Sequence, residues 1–185
     1  MDRYVETRPI RLLLADPDDA GHLTVIQGRA FHDDIRFVSE EDIARGRQVA
    51  DPSQGPPGCT DIAWTKKMIE SSESMYYKIV LDSRLVGGVI LAADPEKYAD
   101  ENFWRIFIEP VYHNRGIGQE AFRQVFRLHP AVRRWRLGTP EYATRNRHFY
   151  ERMGFTLLEI RYAEEAGFRE CEYENALPQD ERLKL

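Results

Sequence analysis

Apolar and polar positions along the chain follow two different periods, and the changes of period mark the predicted elements. The short apolar run Ile10–Leu14 predicts a first strand. Asp16 can cap a helix and Pro17 suits its first turn, and helical spacing of apolar residues carries this helix to about Phe31. Two further helices are predicted before the period changes, one over Ser39–Arg45 and one that Asp61 caps.

The second half of the chain begins with strand patterns. Met75–Leu81 and Leu85–Ala93 flank the turn Asp82–Arg84, which is typical of a hairpin. Nearly every residue of Phe103–Glu109 is apolar, and this predicts a central strand that is covered on both faces. The later predicted elements are a helix over 117–129, a strand over 135–139, a helix over 145–152 that stops at Gly154, and a hairpin of strands 156–162 and 168–173.

This order of elements predicts a mixed sheet with helices on both faces, and 185 residues suit one domain. A Pro/Gly-rich segment over residues 51–58 is the strongest loop signal in the chain. The segment before it is too small to carry its own core, so we do not interpret it as a linker between domains. A loop over a substrate cleft and an inert surface excursion both stay open.

Composition and charge narrow the class of protein. The net charge is −5, and the densest basic stretch is residues 133–136, so we expect no nucleic-acid partner. No apolar run approaches the roughly 20 residues that span a bilayer, and the first residues do not resemble a signal peptide. We therefore expect a cytoplasmic protein with no membrane partner. Neither the two cysteines, Cys59 and Cys171, nor the five histidines have metal-ligand spacing.

The most informative stretch runs from the end of the central strand into the next helix. The strand ends at Pro110, a polar turn follows, and a helix opens at Gly116 and Gly118. Such a helix start directs unpaired backbone N–H groups and the positive end of the helix dipole to one point, which favours phosphate or pyrophosphate. A tight turn without a ligand is the alternative. The stretch has neither the ending of a P-loop nor the spacing of a dinucleotide fingerprint.

Two motifs in the right order resemble the GNAT superfamily of N-acetyltransferases. The first is the strand–Pro–turn–Gly-x-Gly–helix stretch, which is similar to the family's pyrophosphate loop. The second is Leu137–Pro140 followed by Asn146 and the string Phe149–Phe155, which resembles the family's fifth strand and fourth helix. The resemblance covers about residues 8–174 and implies one GNAT domain over residues 1–185. It implies an α/β (α+β) GNAT fold, with a central mixed, mostly antiparallel, twisted sheet of about seven strands and helices on both faces.

The resemblance also implies a set of residues that bind acetyl-CoA. Ile108, near the end of the central strand, would pair with the pantetheine arm through its backbone. Asn146 would bond the cofactor arm or hold the loop. His113 stands where the family more often has Gln or Arg, which leaves a side-chain contact with the phosphates open. The residues expected to face the pyrophosphate are His113, Asn114, Arg115, Gly116, Ile117 and Gly118.

The resemblance assigns the catalytic chemistry to fewer residues. Tyr150 matches the family's general acid, which would protonate the leaving thiolate, although packing against the sheet is the alternative. Glu101, at the start of the central strand, is the candidate general base, with its neighbour Asn102 in a similar position. An exposed turn glutamate without a catalytic role, and ordered water as the base, stay open.

The expected activity is therefore direct transfer of an acetyl group from acetyl-CoA to a primary amine of a small molecule or peptide, without a metal. The alternative is a non-catalytic CoA-binding sensor or interaction module. A homodimer stays open, and the acceptor itself is not predicted. The acceptor region would include Phe31, His32, Asp33, Asp34, Trp64 and Tyr162.

Overall fold

The computed structural model describes residues 10–34, 36, 41, 55–97, 101–163 and 168–185. Its strands are β1 (Ile10–Leu14), β2 (Ser74–Leu81), β3 (Arg84–Ala92), β4 (Phe103–Ile108), β5 (Trp135–Pro140), β6 (Thr156–Ala163) and β7 (Phe168–Asn175). Its helices include α1 (Ala20–Asp34), α2 (Ile62–Glu70), α3 (Ile117–Leu128), α4 (Thr144–Arg152) and α5 (Gln179–Arg182). The predicted helix Ser39–Arg45, apart from residue 41, lies outside the described residues, as do residues 51–54 and the turn 164–167.

The predicted strands and the other predicted helices are confirmed, and their ends move by at most three residues. Side-chain capping explains the starts of the first two helices. Asp16 accepts a hydrogen bond from the N–H of Asp18, while the side chain of Asp19 accepts from the N–H of Asp16, so the two form a capping box before α1. Asp61 likewise accepts from two N–H groups in the first turn of α2.

Helix α5 was not predicted, because tertiary contacts stabilise it rather than a sequence period. Gln179 donates to the carbonyl of Phe126 at 2.6 Å, and Arg182 donates to the carbonyl of Val132 at 2.7 Å. Both acceptors lie more than 45 residues away in sequence, so no local pattern could reveal them.

The strands form two hydrogen-bonded sheets, where the sequence predicted one central sheet. The orders are β1-β2-β3-β4 and β5-β7-β6, and every described pairing is antiparallel. The sheets meet where Asn102, just before β4, holds the start of β5. Its side chain accepts from the N–H of Arg136 at 2.9 Å, and its N–H donates to the carbonyl of Arg136 at 3.3 Å. No ladder pairing between β4 and β5 extends this contact in the described residues, so the edge of β4 is free beyond it.

The core lies on both faces of the first sheet. On one face α3 and α4 pack against β2–β4 and the second sheet, and the rings of Phe103 and Phe122 stack there at 4.5 Å. On the other face α1 and α2 pack on a smaller cluster that includes Leu23, Ile90 and Phe107. Helices on both faces are therefore confirmed. The free edge of β4 therefore lies next to the N-terminus of α3.

Candidate active site

The turn before α3 presents a row of backbone N–H groups without protein partners. Asn114 has φ 59° and Gly116 has φ 75°, so two residues of this turn adopt the left-handed conformation. At the start of the helix, Glu120 is the first residue whose N–H has an acceptor, and it donates to the carbonyl of Gly116. The N–H groups of residues 114–119 donate to no acceptor among the described residues. We call this row of N–H groups the amide cradle. At the positive end of a helix, it suits an anion.

The two glycines of the turn are required for different reasons. Gly116 needs its positive φ, which residues with a Cβ adopt only with strain. Gly118 is buried, and a Cβ there would meet the ring of Phe149 at 2.9 Å and Ile108 at 3.3 Å. Gly118 therefore lets the helix start pack closely on α4 and β4.

Backbone groups on the free edge of β4 lie next to this helix start. The N–H of Glu109 donates to the carbonyl of Val86 on β3, so alternation along the strand points the N–H and C=O of Ile106 and Ile108 away from β3. Ile108 is one of the predicted residues. Ile106 was missed, because a sequence does not show which edge of a strand is free.

His113 contacts the strand as well as the turn. Its Nε2 lies 2.8 Å from the carbonyl oxygen of Ile108, and its Nδ1 lies 3.4 Å from Nη1 of Arg145. Because the carbonyl can only accept and the guanidinium can only donate, these partners assign the proton to Nε2. The histidine thus occupies one lone pair of the Ile108 carbonyl and leaves the other lone pair available.

The remaining predicted residues of the turn differ in exposure. Arg115 is exposed, and its guanidinium lies 5.5 Å from the ring centroid of Tyr112. Ile117 is buried in the main core cluster and faces away from solvent. The side chain of Arg115 is therefore available to a bound anion, whereas Ile117 offers only its backbone.

Tyr150 lies on α4 in an aromatic environment. Its ring packs near Phe122, Phe155 and Tyr173, with centroid distances of 6.1–6.3 Å. Burial raises the pKa of the phenol well above its usual value, and the negative charge of Asp34 adds to the rise. The hydroxyl has no hydrogen-bond partner among the residues that the structure describes. Tyr150 is therefore a neutral phenol whose proton is available to a ligand.

An ion-paired group connects the end of α1 to the start of α4. Asp34 accepts from Nη2 of Arg145 at 2.5 Å and from Nδ2 of Asn146 at 3.4 Å. Asp33 lies 3.6 Å from Arg145 and 3.7 Å from Nδ1 of His113. Burial raises the pKa of Asp34, against the opposing charge of Arg145. Asn146 thus links the start of α4 to the end of α1. Its bond to Asp34 is long, at 3.4 Å, so the Asn146 amide could exchange it for a bond to a ligand.

Glu101 lies at the opposite end of β4 from the amide cradle. Seven residues separate it from Ile108, so the distance along an extended chain is roughly 20 Å. Although the residue is exposed, its carboxyl is partly desolvated. That burial and the charges of Glu170 and Glu172 raise its pKa, while Arg161 opposes the rise. The raised pKa suits a general base. The position of Glu101, however, is next to the second sheet and far from the amide cradle.

Asn102, the neighbouring candidate, is a structural residue. It is fully buried, and its Nδ2 donates to the carbonyls of Pro95 and Arg134 at 2.8 Å each. Its Oδ1 is occupied by the N–H of Arg136. With its amide group engaged in the join between the strands, Asn102 offers nothing to a substrate.

The described part of the molecule yields two negative findings. Within residues 10–34, 55–97, 101–163 and 168–185, no helix is both long and apolar enough to cross a membrane. Across the same ranges, no group of three or more His, Cys, Asp or Glu side chains could hold a metal ion.

Comparison with known proteins finds a family of acetyltransferases that the middle of the chain resembles. Residues 72–157 match the family model of an acetyltransferase (GNAT) domain. This range contains β2–β4, α3, β5 and α4, and with them the amide cradle and Tyr150. This stretch, somewhat less than half of the chain, is therefore similar to the acetyltransferase (GNAT) domain.

Solved structures share the fold at low sequence identity. The PaiA N-acetyltransferase from Thermoplasma acidophilum in complex with coenzyme A is 15% identical, with a TM-score of 0.66 over 91% of this chain and 99% of its own. The microcin C7 self-immunity acetyltransferase MccE in complex with acetyl-CoA and AMP is 16% identical, with a TM-score of 0.64 over 91% and 92%.

A curated relative is the uncharacterized protein YrkN from Bacillus subtilis (strain 168). It is 28% identical over 113 residues, which are 60% of this chain. The match spans 58% of that relative's length, less than two thirds of it.

Proposed function

We propose that this chain transfers an acetyl group from acetyl-CoA directly to a primary amine of a small molecule or peptide. The observation that carries the proposal is the amide cradle at residues 114–119 beside the free edge of β4, with the Tyr150 phenol on α4, whose ring packs near Phe122 of α3. Unpaired N–H groups at a helix start are costly unless solvent or an anion satisfies them, so a diphosphate is a fitting partner.

The binding residues follow from this arrangement. The backbone of Asn114–Gly118 and the side chain of Arg115 would hold the diphosphate, with His113 beside them. The backbone groups of Ile106 and Ile108 point to the free edge, where they would pair with the amides of the pantetheine arm. Asn146 would hold α4 against this arm through Asp34. When bound, acetyl-CoA supplies an acetyl group that is activated as a thioester.

Tyr150 acts as the general acid in this proposal. The acceptor nitrogen bonds to the acetyl carbon, the carbon–sulfur bond breaks, and the sulfur takes the Tyr150 proton. The proton lost by the amine goes to a base and returns to the phenol through solvent. The raised pKa keeps Tyr150 protonated at every pH of an ordinary assay, and its hydroxyl has no competing partner among the described residues.

The base is assigned to Glu101, directly or through water. Its raised pKa makes it a stronger base than an ordinary glutamate, and Glu170 and Glu172 make the same surface attractive to a cationic amine. Because Glu101 lies far along β4 from the amide cradle, water between the amine and the carboxylate is the better-supported route. Holding amine and thioester together contributes more than either proton transfer, about 7–11 kcal/mol.

Direct transfer, rather than an acylated cysteine, is supported by the state of both thiols. Cys59 and Cys171 are buried, and burial raises the pKa of each thiol. A buried neutral thiol is a poor nucleophile.

Calorimetry with CoA and acetyl-CoA, followed by an assay of thiol release with a panel of amines, tests the proposal. We expect binding of both cofactors and thiol release that depends on an amine. Absence of affinity for either cofactor would overturn the assignment. Tight binding without thiol release from any amine would identify the sensor alternative instead.

A further inference from the structure

Arg105 projects from the middle of β4 into a group of residues that the mechanism above does not use. Its guanidinium lies 4.7 Å from the ring centroid of Trp64 on α2 and 5.6 Å from that of Phe31 on α1. It donates to Oε1 of Gln27 and to the carbonyl of Pro57, both at 3.3 Å. These contacts hold the guanidinium in one orientation on the face of the sheet that carries α1 and α2.

This cation has no carboxylate partner among the described residues. Arg105 is half-buried, and burial lowers the pKa of its guanidinium. Its two hydrogen bonds are long and end on neutral oxygens, so three of its five N–H donors stay available. A partly desolvated cation without a counter-ion is unfavourable in a folded protein.

Two buried polar groups beside Arg105 are also unpaired. Gln27 is fully buried, and its Nε2 has no partner although its Oε1 accepts from Arg105. Tyr76 is 3% exposed, and its hydroxyl has no partner either. The charge of Arg105 opposes the rise that burial causes in the pKa of Tyr76, so the two groups are close. An unpaired buried donor costs about 1–3 kcal/mol, and natural proteins rarely keep two together.

The group also lies near the reacting end of the proposed site. Arg105 is the residue before Ile106, whose backbone points to the free edge of β4. The side chain of Arg105 rises from the sheet face at this point of the strand, so a ligand on its guanidinium would lie on the side of the free edge that carries α1 and α2. The carbonyl of Pro57 and the ring of Phe31 contact the guanidinium from the Pro/Gly loop and from α1.

We propose that Arg105, Gln27 and Tyr76 bind a carboxylate of the acceptor, which makes the acceptor an amine of the amino-acid or peptide C-terminal type. The inference rests on the proposed acetyl transfer, and it names the class of acceptor. The carboxylate takes two N–H groups of the guanidinium fork, the amide of Gln27 and the hydroxyl of Tyr76. It supplies the missing counter-ion and satisfies both unpaired donors.

Matched pairs of acceptors test the class of substrate. Glycine and glycinamide, phenylalanine and phenylalaninamide, and lysine and lysinamide form pairs in which a neutral amide replaces the carboxylate, and each pair is compared at a pH at which both amines are largely unprotonated. We expect kcat/KM to favour the best carboxylate over its amide by about 10- to 150-fold, the range for charge-assisted hydrogen bonds. Acetylation of amines with no preference for any carboxylate would overturn this inference and leave the proposed function intact. Loss of CoA binding would instead overturn the proposed function.

Arg105→Gln and Gln27→Glu test the residues. Arg105→Gln removes the cation, and Gln27→Glu is isosteric and gives Arg105 an internal carboxylate in place of the ligand. We expect the ratio of kcat/KM for the carboxylate substrate to kcat/KM for its amide to fall to about one in both variants. Arg133→Gln, which removes an exposed arginine and the same charge, is the control and should keep the ratio. An unchanged ratio in Arg105→Gln would contradict the proposal.

Tyr76→Phe supplies a readout other than activity. The hydroxyl has no protein partner, so its loss should leave the thermal midpoint unchanged or raise it. Calorimetry with the N-acetylated form of the best amino acid, without CoA, should show weaker binding by about threefold or more in the same variant. A variant with unchanged stability and unchanged binding would show that the hydroxyl takes no part.

Discussion

The two ends of strand β4 differ in how their polar groups are satisfied. The start of β4 is joined to β5, and we call it the joined end; there Asn102 is fully buried and bonds with the backbones of Pro95, Arg134 and Arg136. The other end of β4, which lies next to the start of α3, is the open end; there the amide cradle at residues 114–119 donates to nothing in the described structure. The same strand thus starts in a closed polar network and ends at an unsatisfied one.

The difference separates structural from functional polar groups. A buried amide whose donors and acceptors are all paired stabilises one arrangement of strands and has no capacity left for a ligand. Unpaired N–H groups at a half-exposed helix start contribute little to stability but bind an anion without rearrangement. The geometry of the site therefore depends on the joined end, and its chemistry on the open end.

The largest expected effect is on stability at the joined end. Asn102→Ala removes three side-chain hydrogen bonds and leaves buried carbonyls unpaired, so we expect a loss of about 3–5 kcal/mol in the free energy of unfolding. Urea denaturation measures it. The control is Asn114→Gly at the open end, where glycine adopts the positive φ freely and stability should stay within about 0.5 kcal/mol. Equal losses in both variants would remove the distinction between the ends.

Much of the fold follows from the sequence, because local periods determine it. The run Ile10–Leu14 and the hairpin around Asp82 were predicted almost to the residue. The way in which the two sheets meet was not, because it depends on bonds between Asn102 and Arg136, which are 34 residues apart. A residue that joins strands has no local signature.

The site divides in the same way. Gly116 and its turn were predicted from local spacing, since a helix start is a local feature. The group around Arg105 was missed, although Phe31 and Trp64 had been placed in the acceptor region. Gln27 lies in α1, and only the packing of α1 on β4 brings its amide to Arg105.

The next effect is on turnover at the open end. Tyr150→Phe removes the proposed acid, and we expect kcat at saturating acetyl-CoA to fall about 100-fold, or about 2.7 kcal/mol in the barrier. Because its raised pKa keeps the phenol protonated, the loss should be the same at each pH from acid to mildly alkaline.

Tyr77→Phe is the matched control for that variant. Its hydroxyl bonds with His129 near the C-terminus of α3, away from the amide cradle. We expect a loss of about 1 kcal/mol in stability and no change in kcat. Tyr150 would be assigned to packing if its variant kept full turnover.

A smaller effect concerns cofactor affinity. In Gly118→Ala the new Cβ would lie 2.9 Å from the Phe149 ring, so the helix start or the ring must shift. We expect the Kd for CoA to rise about tenfold, or about 1.4 kcal/mol. Gly21→Ala, in α1 with no atom within 4 Å of the new Cβ, is the control, and it should raise stability by about 0.5–1 kcal/mol without changing the Kd. Equal Kd values in the two variants would show that the position of the helix start does not limit binding.

The smallest effect tests whether the joined end also contributes to the chemistry. If Glu101 is the base, it must be ionised, so kcat/KM falls as the pH drops below its raised pKa. Glu170→Gln removes a negative neighbour and lowers that pKa, which moves the acidic limb to lower pH. Arg161→Gln removes a positive neighbour and moves the limb to higher pH. Each change in kcat/KM at one pH should stay below about tenfold, because a half-exposed pair is worth about 1 kcal/mol or less. If the acidic limb of the kcat/KM profile stays at the same pH in both variants, Glu101 is not the base. Ordered water would then accept the proton, and the chemistry would be restricted to the open end.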